Sequence, residues 1–457
     1  MPEELSSFSN QPAVIGSGLG GLLIGALLAK NGFKPLIFEK LAFAGGRFTS
    51  HNYQGYAVPT GAVHMLPFGV KGSVAKIIRD ELDLNIALHP TDRFTSWLWP
   101  NEQKERYHQK FLAAVKVLPS LRDRWKLAKL ITGRNKFEKA VSPLSVFLDE
   151  NGAGLRLVEF FKAIAGFALS LNLDEILAKD MYHFLEKQFH LGRPAIPAGG
   201  CRAVTERLVG YIGSHGGKIF LKSPVTEINA EEEENNRFRI TNLVINLNGE
   251  EELEFQPEFV ISNAGQKLTA ELSRGPGFLS AGNDGFQPAA GFGLVFGLEK
   301  PLLGHTGITL TPGNENLCGV IEPSHADPSL APSGHHLFIS HHPLVPGLSL
   351  ERNIKLGREE IHSTFPRLDK VGTELAVHSF HSDWPVNRVR QGSSLPGKEE
   401  TCNNLFFVGD GNRSLGDIMT EGVAGGVLKV INLIEQNGYN TCLEQSRFEI
   451  PATRELS

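Results

Sequence analysis

The stretch from Ala13 to Arg47 constrains the fold most, because a short apolar run, a glycine cluster and a second apolar run follow one another there. Gly16, Gly18 and Gly21 have the G-x-G-x-x-G spacing. The three glycines of that pattern permit a tight turn, close approach of the main chain to a pyrophosphate and close packing of a helix on a strand. The apolar run beginning near Leu19 predicts a helix whose N-terminal N–H groups and positive dipole end face phosphates.

Glu39 ends the second apolar run, where a carboxylate can accept hydrogen bonds from a ribose. The region therefore predicts a strand, a phosphate turn, a helix and a second strand that together bind a dinucleotide. Two weaker interpretations are a purely structural turn and a membrane helix. The uncharged run Val14–Ala29 suggests the membrane helix, but it is short for a bilayer and interrupted by glycines.

Gly45, Gly46 and Arg47 follow Glu39 closely and extend the fingerprint. This combination resembles flavoproteins related to the phytoene desaturases and the amine oxidases. In that family the second glycine pair brings the chain back to the cofactor, and the arginine lies by the pyrophosphate. The resemblance implies FAD rather than NAD.

Two later blocks resemble the same family. Gly192–Gly200 is followed by a helical pattern, a glycine turn and a strand, and in phytoene desaturases the backbone of the residue matching Val225 contacts the adenine part of FAD. Leu405–Gly411 resembles the C-terminal flavin motif, where Asp410 would meet the pyrophosphate or the ribityl chain. The helix predicted from Thr420 would direct its positive N-terminal end at the flavin.

The segment Gly55–His64 passes beside the flavin in this family, although Pro59 stands where the family often has an aspartate. His64 either faces the isoalloxazine ring or is a buried histidine with its hydrogen bonds satisfied. The motifs and the resemblance together predict these cofactor-binding residues: Gly16, Ser17, Gly18, Gly20, Gly21, Glu39, Lys40, Gly45, Gly46, Arg47, Gly61, Ala62, Val63, His64, Val225, Asn263, Gly409, Asp410, Glu421, Gly422 and Val423.

The expected fold class is α/β, or α+β overall, with a Rossmann-type FAD-binding domain and an inserted substrate domain of antiparallel sheet plus helices. We expect the FAD domain to comprise residues 1–75, 193–285 and 396–457. The substrate domain would comprise residues 76–192 and 286–395, with a helical part over 105–190. The many large apolar residues between 154 and 189 form either plain core or a hydrophobic tunnel over the flavin.

Charge and cysteine content exclude several classes of protein. The net charge of -5 over 457 residues does not fit a general nucleic-acid binder, for which a basic domain is expected. The four cysteines form no C-x-x-C pair, so a disulfide framework and a zinc knuckle are not expected. The acidic, polar start of the chain predicts no secretory signal, which favours a cytoplasmic location.

The segment Lys110–Lys139 is rich in lysine and arginine, and large apolar residues including Trp125 are interleaved with them. Such a helical segment either packs on its own domain with a solvated basic face or lies in an anionic lipid interface. The chain is therefore expected to be cytoplasmic with peripheral membrane contact through this segment as one alternative.

Histidines in the second half of the chain raise the question of a metal site, but adjacent histidines in one strand point to opposite faces. The histidines considered are His335, His336, His341, His342, His378 and His381. No carboxylate joins them at ligand spacing, so no metal is expected.

The expected function is oxidation or desaturation of an apolar, isoprenoid-like small molecule by hydride transfer to flavin N5. A second glycine fingerprint for NADPH is not evident, so oxygen or a quinone is the expected electron acceptor. Amine oxidation, redox-neutral flavin-dependent isomerisation and a non-catalytic flavoprotein remain alternatives. No catalytic residue is assigned, and the places to look for a proton acceptor are His64, Tyr182, His183 and Arg388.

Overall fold

The structure is a computed structural model. It describes residues 10–61, 63–92, 95–99, 106–108, 115–234, 237–249, 251–274, 288–381, 386–389 and 401–439.

The first structural unit is built on a sheet of five parallel strands, which we call the dinucleotide sheet. Every residue of its central strands is buried, because both faces of a parallel sheet are covered. In spatial order the strands are Leu405–Phe407, Val260–Ser262, Ala13–Ile15, Leu36–Phe38 and Lys218–Phe220.

Alternate residues of these strands serve two different cores. Val14 and Ile261 pack with the helices Leu19–Lys30, Gly200–Ser214 and Met419–Gln436 on one face. The residues that alternate with these along the same strands point to the other face and pack against a four-stranded sheet. The strands of that second sheet, in spatial order, are Glu251–Phe255, Arg237–Leu247, Val225–Glu233 and Ser273–Arg274.

A tight turn joins Arg237–Leu247 to Glu251–Phe255 in the second sheet. Asn248 and Gly249, in the segment that joins these strands, have φ of 54° and 78°, the positive values that Asn and Gly adopt readily in hairpin turns. The Asn-Gly pair is the sequence signal for such a turn.

The second structural unit is built on a seven-stranded sheet. Its strands pair antiparallel except Thr309–Leu310 with Thr95–Trp97, which run parallel. In spatial order the strands are Gly372–Phe380, Gly291–Leu298, His336–Pro343, Gly319–Ile321, Thr309–Leu310, Thr95–Trp97 and Arg106–His108. A Rossmann-like unit with an additional, largely antiparallel sheet and helices confirms the predicted fold class.

Helices cover both faces of the seven-stranded sheet. Leu350–Thr364 and Leu368–Val371 pack on one face. The helices on the other face belong to the largest apolar core, and they are Leu121–Thr132, Arg134–Glu138, Leu144–Glu150, Leu155–Leu169 and Ala178–Leu191.

Stacked aromatic rings hold this helical layer to the sheet and hold its helices to one another. The rings of Trp97 and Phe160 are parallel with centroids 4.4 Å apart, and Phe137 stacks on Phe147 at 4.9 Å. The large apolar residues between 154 and 189 lie mostly in this core, which favours the core interpretation over the tunnel. In the parts of the chain that the structure describes, every helix is too short or too polar to cross a bilayer.

Shorter elements connect these layers. Two-stranded sheets are formed by Ser50–Tyr53 with Tyr56–Pro59, Leu88–Pro90 with Ala195–Pro197, and Pro288–Ala289 with Val386–Val389. The short helical turns are Gly69–Lys71, Ser73–Ala75, the π-helical Lys76–Glu81, Val115–Val117, Gln266–Leu272, Pro323–His325 and Pro328–Leu330.

Candidate dinucleotide and substrate site

A cavity of about 670 Å³ opens where the parallel strands of the dinucleotide sheet end. The carboxyl ends of such strands are the usual place for a ligand in an open α/β sheet. The cavity extends from the glycine turn after Ala13–Ile15 to residues of the seven-stranded sheet, including His341 and Phe380. One cavity therefore contacts both structural units.

The first glycine turn forms one wall of the cavity. Gly16 has φ of +92°, which favours glycine, and a Cβ on Gly21 would lie 2.0 Å from the Gly16 carbonyl oxygen. Gly21 itself does not line the cavity, so its glycine is required for packing of the helix Leu19–Lys30. Gly18 and Gly20 do line it, and the side chain of Asn263 lies directly over them: a Cβ on either glycine would come within 2.7 Å and 2.5 Å of its amide atoms.

Glu39 lines the cavity. Hydrogen bonds from the glycine turn and from the turn that follows Glu39 fix its carboxylate. Its Oε2 accepts hydrogen bonds from Ser17 N at 2.7 Å and Ser17 Oγ at 2.8 Å, and its Oε1 accepts from Leu41 N at 2.9 Å. Ser17 is buried and does not line the cavity, so it orients Glu39 instead of facing the cavity. Lys40 and Val225 line the same end.

Arg47 and Asp410 meet across the cavity in an ion pair. Gly45 brings Arg47 there, because Gly45 N donates to Ser17 O at 2.8 Å and joins the two glycine turns. Gly46, Gly61, Val63 and Gly409, which are predicted to bind the cofactor, also line the cavity, and Ala62 lies outside the described residues. The ion pair gives this wall one cationic and one anionic group.

The helix Met419–Gln436 begins at the cavity, where Thr420 and Val423 line it. Thr420 Oγ1 is buried and has no hydrogen-bond partner among the described residues. Such a hydroxyl at the positive end of a helix suits an anionic or polar ligand.

Glu421 and Gly422, both predicted at the cofactor, do not line the cavity. Glu421 points away and accepts a hydrogen bond from Val74 N at 3.1 Å. Burial raises the pKa of its carboxyl to about 7, and the charge of Asp417 adds to the shift.

His64 is completely buried and does not line the cavity. Its Nε2 is 2.7 Å from Ala57 O, and its Nδ1 accepts from Cys201 N at 3.2 Å. These contacts assign the proton to Nε2, and burial lowers the pKa of the ring to about 4. Of the two interpretations of His64, the structure therefore favours the buried histidine whose two hydrogen bonds are satisfied.

The other predicted proton acceptors do not lie at the cavity either. The Tyr182 ring packs against Phe137 with centroids 5.6 Å apart, and His183 Nδ1 lies 3.4 Å from Glu186 Oε2. The side chain of Arg388 lies outside the described residues.

A polar pair that the sequence argument did not select lies at the far end of the cavity. Ser170 Oγ and His341 Nε2 are 2.8 Å apart, and both residues line the cavity beside Phe380, Met65 and Met419. Ser170 ends the helix Leu155–Leu169 with φ of 55°, and His341 projects from a central strand, stacked on Phe380 at 5.7 Å. The only sequence signal was a histidine inside an apolar strand, which alone does not indicate which face it occupies.

The residues at the cavity fit a dinucleotide. Gly18 and Gly20 expose their backbone at the cavity wall beneath Asn263, two helices begin at the cavity, and Glu39 is held where a ribose hydroxyl could bind. Arg47 supplies a cation for a pyrophosphate.

Comparison with known proteins agrees with this geometry. Residues 14–80 match the family of NAD(P)-binding Rossmann-like domains. An uncharacterized protein of Methanocaldococcus jannaschii is 32% identical over 425 residues, covering 92% of this chain and 98% of its own. An oxidoreductase from Methanosarcina mazei has a similar structure, with a TM-score of 0.81 and 32% identity over 92% of this chain and all of its own.

More distant relatives carry names that indicate chemistry. A 4,4'-diapophytoene desaturase of a Methylomonas species is 44% identical over 57 residues, 12% of this chain and 11% of its own. A chloroplastic prolycopene isomerase of an Oncidium hybrid is 24% identical, covering 71% of this chain and 62% of its own. Putrescine oxidase with bound putrescine shares the fold, with a TM-score of 0.69 at 13% identity over 93% of this chain and 99% of its own. The chain belongs to the same family as the proteins of Methanocaldococcus jannaschii and Methanosarcina mazei, one of them an oxidoreductase, is similar in sequence to phytoene desaturases, and shares the fold of flavin-dependent amine oxidases.

Proposed function

We propose that the protein is an FAD-dependent oxidoreductase that oxidises or desaturates an apolar, isoprenoid-like substrate. The observation that carries this proposal is the single cavity that joins the dinucleotide motifs to an apolar end on the seven-stranded sheet. A dinucleotide at the glycine turns would leave Met65, Phe380 and Met419 to contact a substrate.

The cofactor is inferred to be FAD because the second glycine pair and Arg47 line the cavity together with Asp410. In this assignment Glu39 binds a ribose, Arg47 and the helix beginning at Leu19 bind the pyrophosphate, and Val225 contacts the adenine. FAD, when bound, supplies the hydride acceptor for the oxidation.

The chain's own contribution to the reaction would come from Ser170 and His341. Desaturation removes a hydride from one carbon and a proton from its neighbour, so a proton acceptor is needed at an otherwise apolar site. Ser170 Oγ and His341 Nε2, 2.8 Å apart, are able to take up and hold that proton. Phe380 and Phe167 pack on the His341 ring and fix its orientation.

The names of two partly matched relatives support an isoprenoid substrate, since they are a diapophytoene desaturase and a prolycopene isomerase. The second relative also favours a second candidate, redox-neutral isomerisation of a polyene by the same site. The two functions differ in electron demand: an isomerase turns over without air once a trace of reductant is present, whereas a desaturase stops after one turnover without an acceptor.

Amine oxidation is less well supported. Among the described residues, the cavity lining contains no tyrosine or tryptophan that could form an aromatic cage around an amine. The similarity to putrescine oxidase extends to the fold alone.

The first test is the absorption spectrum of the purified protein before and after acid precipitation. Released FAD and a yellow supernatant would support the cofactor assignment. Isoprenoid polyenes and amines are then added without air, and bleaching of the flavin by a polyene, with slower bleaching in His341→Gln, is the expected result. A colourless protein that cannot be reconstituted with FAD contradicts the proposal, and bleaching by amines alone contradicts the substrate class.

A further inference from the structure

A group of metal-ligating side chains lies outside the cavity, at one end of the seven-stranded sheet. Glu322 follows the strand Gly319–Ile321, His325 ends the short turn Pro323–His325, and His336 begins the strand His336–Pro343. These two strands pair antiparallel, so the hairpin brings its two ends together. One ligand atom from each of the three residues lies within 4.8 Å of the others.

The distances in this group suit a small divalent ion. Glu322 Oε1 lies 3.1 Å from His325 Nε2 and 3.2 Å from His336 Nδ1. Ligands about 2.0–2.1 Å from a tetrahedral Zn²⁺ are separated by about 3.3 Å, so Glu322 Oε1 is spaced from each histidine nitrogen like a neighbouring ligand of one ion.

Hydrogen bonds within the protein do not account for the arrangement. The Glu322 side chain is 0% exposed, and its Oε2 accepts from Leu302 N at 3.1 Å and Leu303 N at 2.9 Å. Its Oε1 and His336 Nδ1 are buried, and neither has a well-aligned hydrogen-bond partner among the described residues, although they are 3.2 Å apart. The His325 ring lies 3.1 Å from Glu322 Oε1, but a buried carboxylate oxygen without a well-aligned donor remains costly, and a bound cation would remove that cost.

We propose that Glu322, His325 and His336 bind one divalent transition-metal ion of the Zn²⁺ type. Two imidazoles and one carboxylate are a donor set that suits zinc and its neighbours better than Mg²⁺ or Ca²⁺. Both histidine side chains are 23% exposed, so water can reach the site and complete the coordination.

Binding requires a change of proton position at His325. Its Nε2 lies 2.7 Å from Leu303 O, so in the metal-free protein this nitrogen carries a proton and donates a hydrogen bond to that oxygen. A metal on Nε2 moves the proton to Nδ1, and a protonated ring does not bind at all. Affinity is therefore expected to fall as the solution becomes acidic.

The role of such an ion would be structural. None of its three ligands lines the dinucleotide cavity. The loop between them instead contacts the other structural unit, because Asp327 Oδ2 accepts from Gly199 N at 2.6 Å just before the helix Gly200–Ser214. An ion at the two ends of this loop would fix the loop that holds Gly199.

This site differs from the expectation drawn from the sequence, in which no carboxylate stood at ligand spacing from the histidines. Glu322 is distant from His336 along the chain, and only the hairpin pairing of Val320 with Ser340 brings the two together. His341 and His342 do point to opposite faces, as predicted: His341 contacts Phe380, and His342 stacks on Phe292 at 4.5 Å.

The test is metal uptake by the full-length protein after treatment with a chelator. Zn²⁺ is titrated by calorimetry, Co²⁺ by its visible spectrum, and bound metal is counted by mass spectrometry. We expect one equivalent in the wild-type protein, an upward shift of its thermal midpoint with Zn²⁺, and at least 100-fold weaker binding in His325→Gln/His336→Gln. His335→Gln, an exposed neighbour in the same loop, is the control and is expected to bind like wild type.

Failure of the wild-type protein to take up Zn²⁺ or Co²⁺ at micromolar concentration would overturn the proposal. Undiminished uptake by the double variant would overturn it too, by assigning the metal to other histidines. If the double variant does not fold, Glu322→Gln tests the site instead. Its amide oxygen can still accept hydrogen bonds from Leu302 N and Leu303 N, but it has lost the charge that the metal needs. Unchanged affinity in that variant would contradict the site.

Discussion

Glu421 is the buried acid whose ionisation most directly couples the stability of this protein to pH. Its folded-state pKa is about 7, raised mainly by burial, against an ordinary value of 4.5. Between these two values the folded state keeps a proton that the unfolded state releases, so this group destabilises the fold progressively as pH rises from about 4.5 to 7.

We expect Glu421→Gln to remove that pH dependence. The amide oxygen can still accept from Val74 N, so the variant and wild type should be similar near pH 5. The variant should then become more stable than wild type by about 3 kcal/mol at pH 8. Urea unfolding at several pH values checks this. Glu359→Gln, at an exposed position, is the control and should parallel wild type; equal slopes for all three proteins would contradict the prediction.

Ser170 combines a backbone cost with a hydroxyl at the cavity. Its φ of 55° and ψ of 36° place it in the left-handed region, where a non-glycine residue costs about 1–2 kcal/mol. Ser170→Gly should therefore be more stable than Ser170→Ala by about 1 kcal/mol, as measured by chemical unfolding. Both variants lack the hydroxyl, so both should lose turnover of the polyene substrate to a similar extent. Activity in either variant equal to wild type would exclude Ser170 from proton transfer.

Some residues at the cavity could be predicted from the sequence, and others could not, for a physical reason. The glycine spacing reports the backbone requirements of one local turn, so Gly16 and Gly18 were predictable. Ser170 and His341 come from different elements, and only the packing of a helix end on a sheet brings them together. Ser17 was predicted at the cofactor, but the structure shows its hydroxyl holding Glu39.

At the scale of elements, the sequence predicted those with local signals. The Asn248-Gly249 turn and the helix from Leu19, which follows Gly18, each begin at a residue type with a local conformational preference. Order in the sheets depends on contacts between distant segments. The parallel pairing of Thr309–Leu310 with Thr95–Trp97 had no signal in the sequence, because neither strand fixes its partner locally.

The helix Leu121–Thr132 tests the expectation of lipid contact. Leu127, Leu130 and Phe137 of the basic segment are buried in the core, so most of its apolar stripe packs on its own domain. Leu121 and Trp125, one turn apart, remain 78% and 63% exposed, and the Lys129 ammonium lies 5.3 Å from the Trp125 ring. Two large apolar groups beside cations would suit an anionic lipid interface.

If this helix binds lipid, Leu121→Ser/Trp125→Ser should abolish sedimentation with vesicles that contain phosphatidylserine. Replacing Arg122, Lys126 and Lys129 by glutamine should weaken sedimentation and make the binding that remains insensitive to salt. Arg124 is left unchanged, because its Nε donates to Leu118 O at 2.6 Å within the segment. Phe189→Ser removes an exposed aromatic from another helix and is the control. Absence of binding by the wild-type protein would favour the solvated helix.

At the scale of the whole molecule, one buried ion pair joins the helical layer to the loop that follows Asp410. Asp180, in the helix Ala178–Leu191, accepts from Arg413 Nη2 at 2.6 Å and Nη1 at 3.2 Å, and from Gly416 N at 2.7 Å. The two side chains are 1% and 2% exposed. Lys187, from the same helix, pairs with Asp417 at 2.5 Å. These contacts fix the loop between the flavin motif and the helix Met419–Gln436.

Asp180→Asn should destabilise the protein by about 3–5 kcal/mol, because it leaves the Arg413 charge buried and without a counter-ion. Adding Arg413→Gln should recover part of that loss, since the double variant buries no charge. The coupling energy in the double-mutant cycle, measured by urea unfolding, is therefore expected to be large. The exposed pair Arg202 and Glu206 is the matched control and should show at most about 1 kcal/mol of coupling.

The same cycle also reports on the cavity, because the loop held by Asp180 and Arg413 carries Met419 to its lining. If the ion pair positions this loop, the double variant should be more stable than Asp180→Asn yet retain FAD more weakly than wild type on dilution. Recovered stability in the double variant, together with FAD retention equal to that of wild type, would show that packing of the helix Met419–Gln436 alone fixes the loop. The ion pair would then affect stability only because each buried ion neutralises the other. The two structural units would not need this charged contact to form one site.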